Sequence, residues 1–139
     1  MKRTANAGVA MTDTTFQGTR FLILEDEPLI ALDIASEIEN LGGRIAADVR
    51  SVTAAAEALD KIAFDAAVLD FRLSDGTSTA IGEALQSRGT PFVFCTGGLS
   101  EEAAEGPLSD ITVWQKPCDW PSLLREFAQN IRTPERLDV

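Results

Sequence analysis

FLILEDEPLIALDIASEIENLGG (Phe21–Gly43) is the stretch on which the fold turns. FLIL is a short continuous apolar run, as expected of a strand buried on both faces. It ends in three consecutive acids, Glu25, Asp26 and Glu27, and then Pro28 opens a helical pattern. Ile30, Ile34, Ile38 and Leu41 recur at spacings of four, four and three, and Gly42-Gly43 supplies the stop, so the pattern is an amphipathic helix. One β-α unit is therefore legible from end to end.

The same alternation repeats along the chain. AAVL (Ala66–Leu69), PFVF (Pro91–Phe94) and ITVW (Ile111–Trp114) are further continuous apolar runs, while RIAADV (Arg44–Val49) is more polar and fits a strand nearer a sheet edge. Ser51 can cap a helix through Ile62, and Thr77 or Ser78 a helix ending at Gly89. Asp119 can cap a last helix with Pro121 in its first turn and Leu123, Leu124, Phe127 and Ile131 as its buried stripe. Five β-α units with short right-handed crossovers predict an α/β fold with a doubly wound, five-stranded parallel sheet of order 2-1-3-4-5. Between Thr96 and Ile111 only SEEAAE (residues 100–105) is helical in character before Gly106-Pro107, so the fourth helix is expected to be short or disordered.

A length of 139 residues suits one domain. Residues 1–18 are predicted to be a polar N-terminal tail, 19–132 the domain and 133–139 a C-terminal tail, with Met1 and Met11 both open as starts. The N-terminus lacks the apolar run of a signal peptide and no segment is long enough to span a membrane, so a cytoplasmic protein is expected. Against 12 basic residues stand 22 acidic ones, a net charge of −10, which argues against nucleic acid as a partner. Histidine is absent, which excludes Ser-His-Asp hydrolysis, histidine phosphodonors and His-ligated metals. Cys95 and Cys118 lack paired spacing and are expected to be reduced, uncoordinated thiols. Chemistry must come from carboxylates, hydroxyls and lysine.

Those residues fall where open α/β sheets build their sites, at the carboxyl ends of strands. Glu25 and Asp26 follow the first strand, Asp70 the third, Thr96 the fourth and Lys116 the fifth. Carboxylates gathered from the first and third strands repel one another unless a cation lies between them, and hard oxygen ligands with room for water select Mg2+. A rigidly held Asp70 beside that ion can attack phosphorus, with Lys116 and Thr96 meeting phosphoryl oxygens.

Glu25-Asp26, Asp70, Thr96 and Lys116-Pro117, in this order and spacing, resemble the response regulator receiver domain over about Arg20 to Ile131. The resemblance implies a flavodoxin-like fold and a phosphoryl group accepted on Asp70 from a histidine kinase in two-component signalling. It further implies self-catalysed phosphorylation and dephosphorylation rather than turnover of a separate substrate. Magnesium would be held by Glu25, Asp26, Asp70 and the backbone carbonyl of Arg72, with Asp26 more direct than Glu25, and the Lys116-Pro117 bond would be cis. PFVFCTGG (Pro91–Gly98) is similar to the PFxFATG[G/Y] signature of the alphaproteobacterial "FAT GUY" receivers, with Cys95 in place of alanine. Such receivers are typically stand-alone, and several are linked to the general stress response.

One departure stands out. Three positions before the lysine, where receivers place a Tyr or Phe switch, this chain has Val113. Gly97 and Gly98 instead free the backbone after Thr96, so residues 96–110 are expected to serve as the switch loop, ordered by phosphorylation. Trp114 is expected to be a packing aromatic. Output would run through a downstream protein partner, or the domain would act as a phosphate sink. Two rivals are a receiver-like scaffold that works without phosphorylation and an aspartate-nucleophile phosphatase. The second rests on LSDGT (Leu73–Thr77), which resembles a DxDGT motif but has Leu73 where the nucleophilic aspartate belongs.

Overall fold

The computed structural model describes residues 13–97 and 106–137. In chain order the elements are β1 (Arg20–Leu24), α1 (Pro28–Asn40), β2 (Arg44–Val49), α2 (Val52–Lys61), β3 (Ala66–Asp70), β4 (Arg72–Leu73), β5 (Gly76–Thr77), α3 (Thr79–Arg88), β6 (Phe92–Thr96), β7 (Val113–Gln115) and α4 (Trp120–Leu137). Five strands form one parallel sheet in the order β2-β1-β3-β6-β7. With the β4-β5 hairpin set aside, this is the 2-1-3-4-5 order expected, the flavodoxin-like doubly wound arrangement.

The period of two along each strand divides the interior into two layers. Phe21, Ile23, Val68, Cys95 and Trp114 face α1 and α4, where Ile34, Ile38, Leu124 and Phe127 meet them. Leu22, Leu24, Leu69, Phe92 and Phe94 face α2 and α3, where Ala55, Ala58, Ile81 and Leu85 meet them. This two-sided burial is why the central strands read as unbroken apolar runs, whereas β2, on the edge, is only partly buried. Trp114 packs at 6.0 Å, edge to face, on Trp120 and is a packing aromatic as expected. Gly82 lets α3 lie close on the sheet, since a Cβ there would stand 2.8 Å from Phe94 Cζ.

Three features depart from the sequence expectation. Residues 13–18 belong to the folded body, although a tail is predicted through Gly18. Phe16 is buried against Phe21, with ring centroids 4.9 Å apart, its amide donates to Leu41 O at 2.8 Å, and Asp13 pairs with Arg125 of α4 at 2.8 Å. One buried aromatic outweighs the polarity of its neighbours. Gly42, at φ +92°, makes room there, because a Cβ would collide with the Asp13 carbonyl. The second feature is the antiparallel β4-β5 hairpin, which pairs Arg72 with Thr77 and Leu73 with Gly76 inside what reads as a loop. Third, the backbone of α4 continues to Leu137, into the predicted C-terminal tail, because no glycine stop follows Ile131.

In the fourth connection, the helical element among the described residues is a single 3-10 turn, Gly106–Leu108. Met1, Met11, Gly98, the SEEAAE segment and the last two residues of the chain lie outside the described residues. No helix among the described residues is long and apolar enough to cross a membrane.

Candidate functional site

β1, β3, β6 and β7 end side by side, and this brings the polar residues together. Glu25 leaves β1 fully buried, Asp70 closes β3 at 5% exposure and Thr96 closes β6 at 1%. Register places Asp70 opposite Cys95 and Thr96 opposite Gln115, one residue before Lys116. The backbone is fastened where the site needs it: Lys116 N donates to Thr96 O at 2.8 Å and Phe71 N to Cys95 O at 2.9 Å.

Glu25, Asp26 and Asp70 each offer one carboxylate oxygen, and the three atoms lie within 4.8 Å of one another. Lys116 reaches into this group. Its Nζ donates to Glu25 Oε1 at 2.8 Å and stands 3.5 Å from Asp70 Oδ2. Glu25 Oε2 accepts from the Glu27 amide at 3.1 Å, so both oxygens of that buried carboxylate are engaged. Burial, and then the charge of Glu25, pushes the Asp70 carboxyl up to about 7, with Asp26 adding to the rise and Lys116 opposing it. Burial works against the charge on Lys116, yet its bond to Glu25 and the charges of Asp70 and Glu25 prevail and raise its pKa.

Three carboxylates against one ammonium leave a surplus of negative charge in a partly buried space. The oxygens they offer are all hard ligands, the set a small divalent cation takes. Arg72 opens the hairpin two residues beyond Asp70 and pairs with Thr77. The Lys116-Pro117 bond is cis. Gly97 is exposed and a side chain there would meet nothing within 4 Å, while Gly98 is outside the described residues. Cys95 and Cys118 are both free thiols, and burial raises the pKa of each.

Three residues gain roles in positioning that the sequence did not announce. Ser78, read as a helix cap, makes no cap bond and instead donates from Oγ to Asp70 O at 2.8 Å, while its amide donates to Phe71 O at 2.9 Å. Arg50 donates to Glu25 O at 3.2 Å and pairs with Asp48. Asp75, at the hairpin tip, binds the first turn of α2. A polar residue in a loop carries no periodic signal, and the bonds of Ser78 to Asp70, of Arg50 to Glu25 and of Asp75 to α2 each join separate segments.

No protein-family model matches the chain. Among curated proteins, the phyllosphere-induced regulator PhyR of Methylorubrum extorquens is 35% identical over 81 residues, 56% of this chain; the match spans only 30% of that relative. The solution structure of SdrG from Sphingomonas melonis Fr1 is 38% identical, covers 79% of this chain and 94% of SdrG, and superposes with a TM-score of 0.66. The REC domain of the Erythrobacter litoralis PhyR response regulator is 28% identical, with 88% and 92% of the two chains covered and a TM-score of 0.67. Matched over nearly the full length of such domains, the chain belongs to the response regulator receiver domains and is similar to those of the PhyR type.

Proposed function

We propose that this receiver accepts a phosphoryl group on Asp70 from the phosphohistidine of a histidine kinase, with magnesium held by Asp26, Asp70 and the Arg72 carbonyl and with Glu25 behind them. The observation that carries the proposal is the convergence of Glu25, Asp26 and Asp70 within 4.8 Å, with Lys116 Nζ reaching Glu25 and Asp70. An Oδ atom of Asp70 forms the new O–P bond while the P–N bond to the donor imidazole breaks, and the departing nitrogen takes up a proton. Bound magnesium supplies positive charge against the carboxylates and the phosphoryl oxygens. Lys116 exchanges part of its contact with Glu25 for a phosphoryl oxygen, and the Thr96 hydroxyl donates to another. Hydrolysis of the same acyl phosphate by water returns Asp70 to its starting state.

The signal leaves through contact with a downstream protein or ends in the drained phosphate. Val113, half-buried in β7, stands where the switch aromatic is expected, and most of the expected switch loop lies outside the described residues. PFVFCTGG, similar to a signature of receivers several of which are linked to the general stress response, supports a role in that response, and the net charge of −10 speaks against a nucleic acid partner.

Phosphotransfer tests the reading. A histidine kinase labelled from radioactive ATP should pass its label to the parent chain when magnesium is present and to Asp70→Asn not at all. Stoichiometric label on Asp70→Asn, or equal labelling in a chelator, would overturn it.

A further inference from the structure

The acidic loop after β1 and the hairpin after Asp70 flank the acidic cluster, and both are tied to the junction of β2 and α2. On one side, Glu25 N donates to Val49 O at 3.0 Å and Arg50 Nη1 donates to Glu25 O at 3.2 Å, which fixes the start of the acidic loop. On the other, Asp75 accepts from Val52 N at 2.9 Å, from Thr53 N at 3.1 Å and from Thr53 Oγ1 at 3.0 Å. The second tie is not a requirement of the helix alone. Ser51 already caps α2 from within, accepting from Ala54 N at 3.1 Å, so the tie from the hairpin is additional.

What the tie adds is placement of the hairpin. β4 and β5 are two residues each, too little ladder to hold a shape unaided. Ser78 secures the base through Asp70 O and Phe71 O, and Asp75 secures the tip. Arg72, whose carbonyl is proposed to face the cation, lies between these two fixed points. Because Val49 and Arg50 hold Glu25 while Val52 and Thr53 hold Asp75, all within the junction of β2 and α2, the two halves of the cluster share a common reference.

We infer that Asp75 is a positioning residue for the divalent-cation site: by holding the hairpin tip on the first turn of α2, it sets Asp70 and Arg72 against Glu25 and Asp26. The inference rests on the cation-site reading given above.

Calorimetric titration of the full chain with magnesium chloride tests it. Asp75→Ala should weaken binding by about ten-fold, as loss of an outer support commonly does. Asp75→Asn, which keeps an acceptor oxygen, should lie between Ala and the parent, and Thr53→Val, which removes one bond and no charge, should show a smaller loss. Arg20→Ala breaks the two-bond pair with Asp65 at the opposite end of the sheet and should lower stability without changing magnesium affinity. In metal-free protein, the Val52 and Thr53 amides should exchange faster in Asp75→Ala. Parent-like affinity in Asp75→Ala would overturn the inference, as would Asn as weak as Ala, which would point to charge alone. If the parent instead shows no magnesium binding that depends on Asp26, the cation-site reading itself fails.

Discussion

Lys116 Nζ is 2.8 Å from Glu25 Oε1 but 3.5 Å from Asp70 Oδ2, so its ammonium rests on the buried glutamate rather than on the proposed nucleophile. Removing it leaves a fully buried carboxylate beside a second one with no counter-charge. Lys116→Ala should therefore lose about 3 kcal/mol of stability, the scale for breaking a buried pair on one side. Glu25→Gln/Lys116→Ala should regain much of that loss. Urea unfolding without metal measures both variants, and a double variant no more stable than Lys116→Ala would show that the ammonium matters for packing rather than for charge.

Asp70 faces the opposite balance. In metal-free protein its carboxylate is held among Glu25 and Asp26, and relieving that repulsion should stabilise the fold. Asp70→Asn without metal at neutral pH or above should melt roughly 3–8 °C higher than the parent, for a gain of about 1–2 kcal/mol. Adding magnesium should narrow the gap, because the parent gains stability in proportion to its tighter binding. Scanning calorimetry in chelator and in magnesium reads both effects; a parent that melts above Asp70→Asn in chelator would mean that the cluster is not repulsive.

How much of this was legible depends on the kind of signal each residue leaves. FLIL, AAVL and PFVF are buried from both sides, so composition alone marks them as strands, and the sheet order then carries Glu25, Asp70, Thr96 and Lys116 to one rim. The resting partner of Lys116 was not legible, since the choice between Glu25 and Asp70 depends on distances of less than one ångström. FRLSDGT shows neither helical nor strand periodicity, and the hairpin exists because Ser78 and Asp75 bind other segments. Phe16 was hidden for a simpler reason: a single aromatic in a polar stretch has no pattern.

Phe16 predicts that residues 13–18, an N-terminal arm on the sheet, are part of the domain's stability. It fills the space between Phe21 and the turn after α1, so Phe16→Ala should cost about 3 kcal/mol, the lower end for emptying a buried aromatic site, because the chain end can relax. Truncation up to Gly18 should cost at least as much. Equilibrium unfolding of both forms checks this, and a truncated chain as stable as the parent would restore the boundary at residue 19.

The arm also brings a pH dependence that is separate from the cluster. Hydrogen bonds from the Thr15 hydroxyl and amide, and then from Arg125, hold the Asp13 carboxyl down at about 2, against 3.8 as its ordinary value. A folded-state pKa below the unfolded one means that the contact stabilises the protein fully above the unfolded value and is lost as pH falls toward the folded one. The advantage of the parent over Asp13→Asn should thus be constant at neutral pH, begin to shrink near about pH 4 and be well reduced by about pH 3. Arg125→Gln should show a smaller advantage to lose, because the Thr15 bonds remain and still favour the ionised carboxyl. Urea midpoints for parent and Asp13→Asn at matched pH values decide the matter: a difference that stays constant down to pH 3 would mean that the Asp13 carboxylate does not hold the arm.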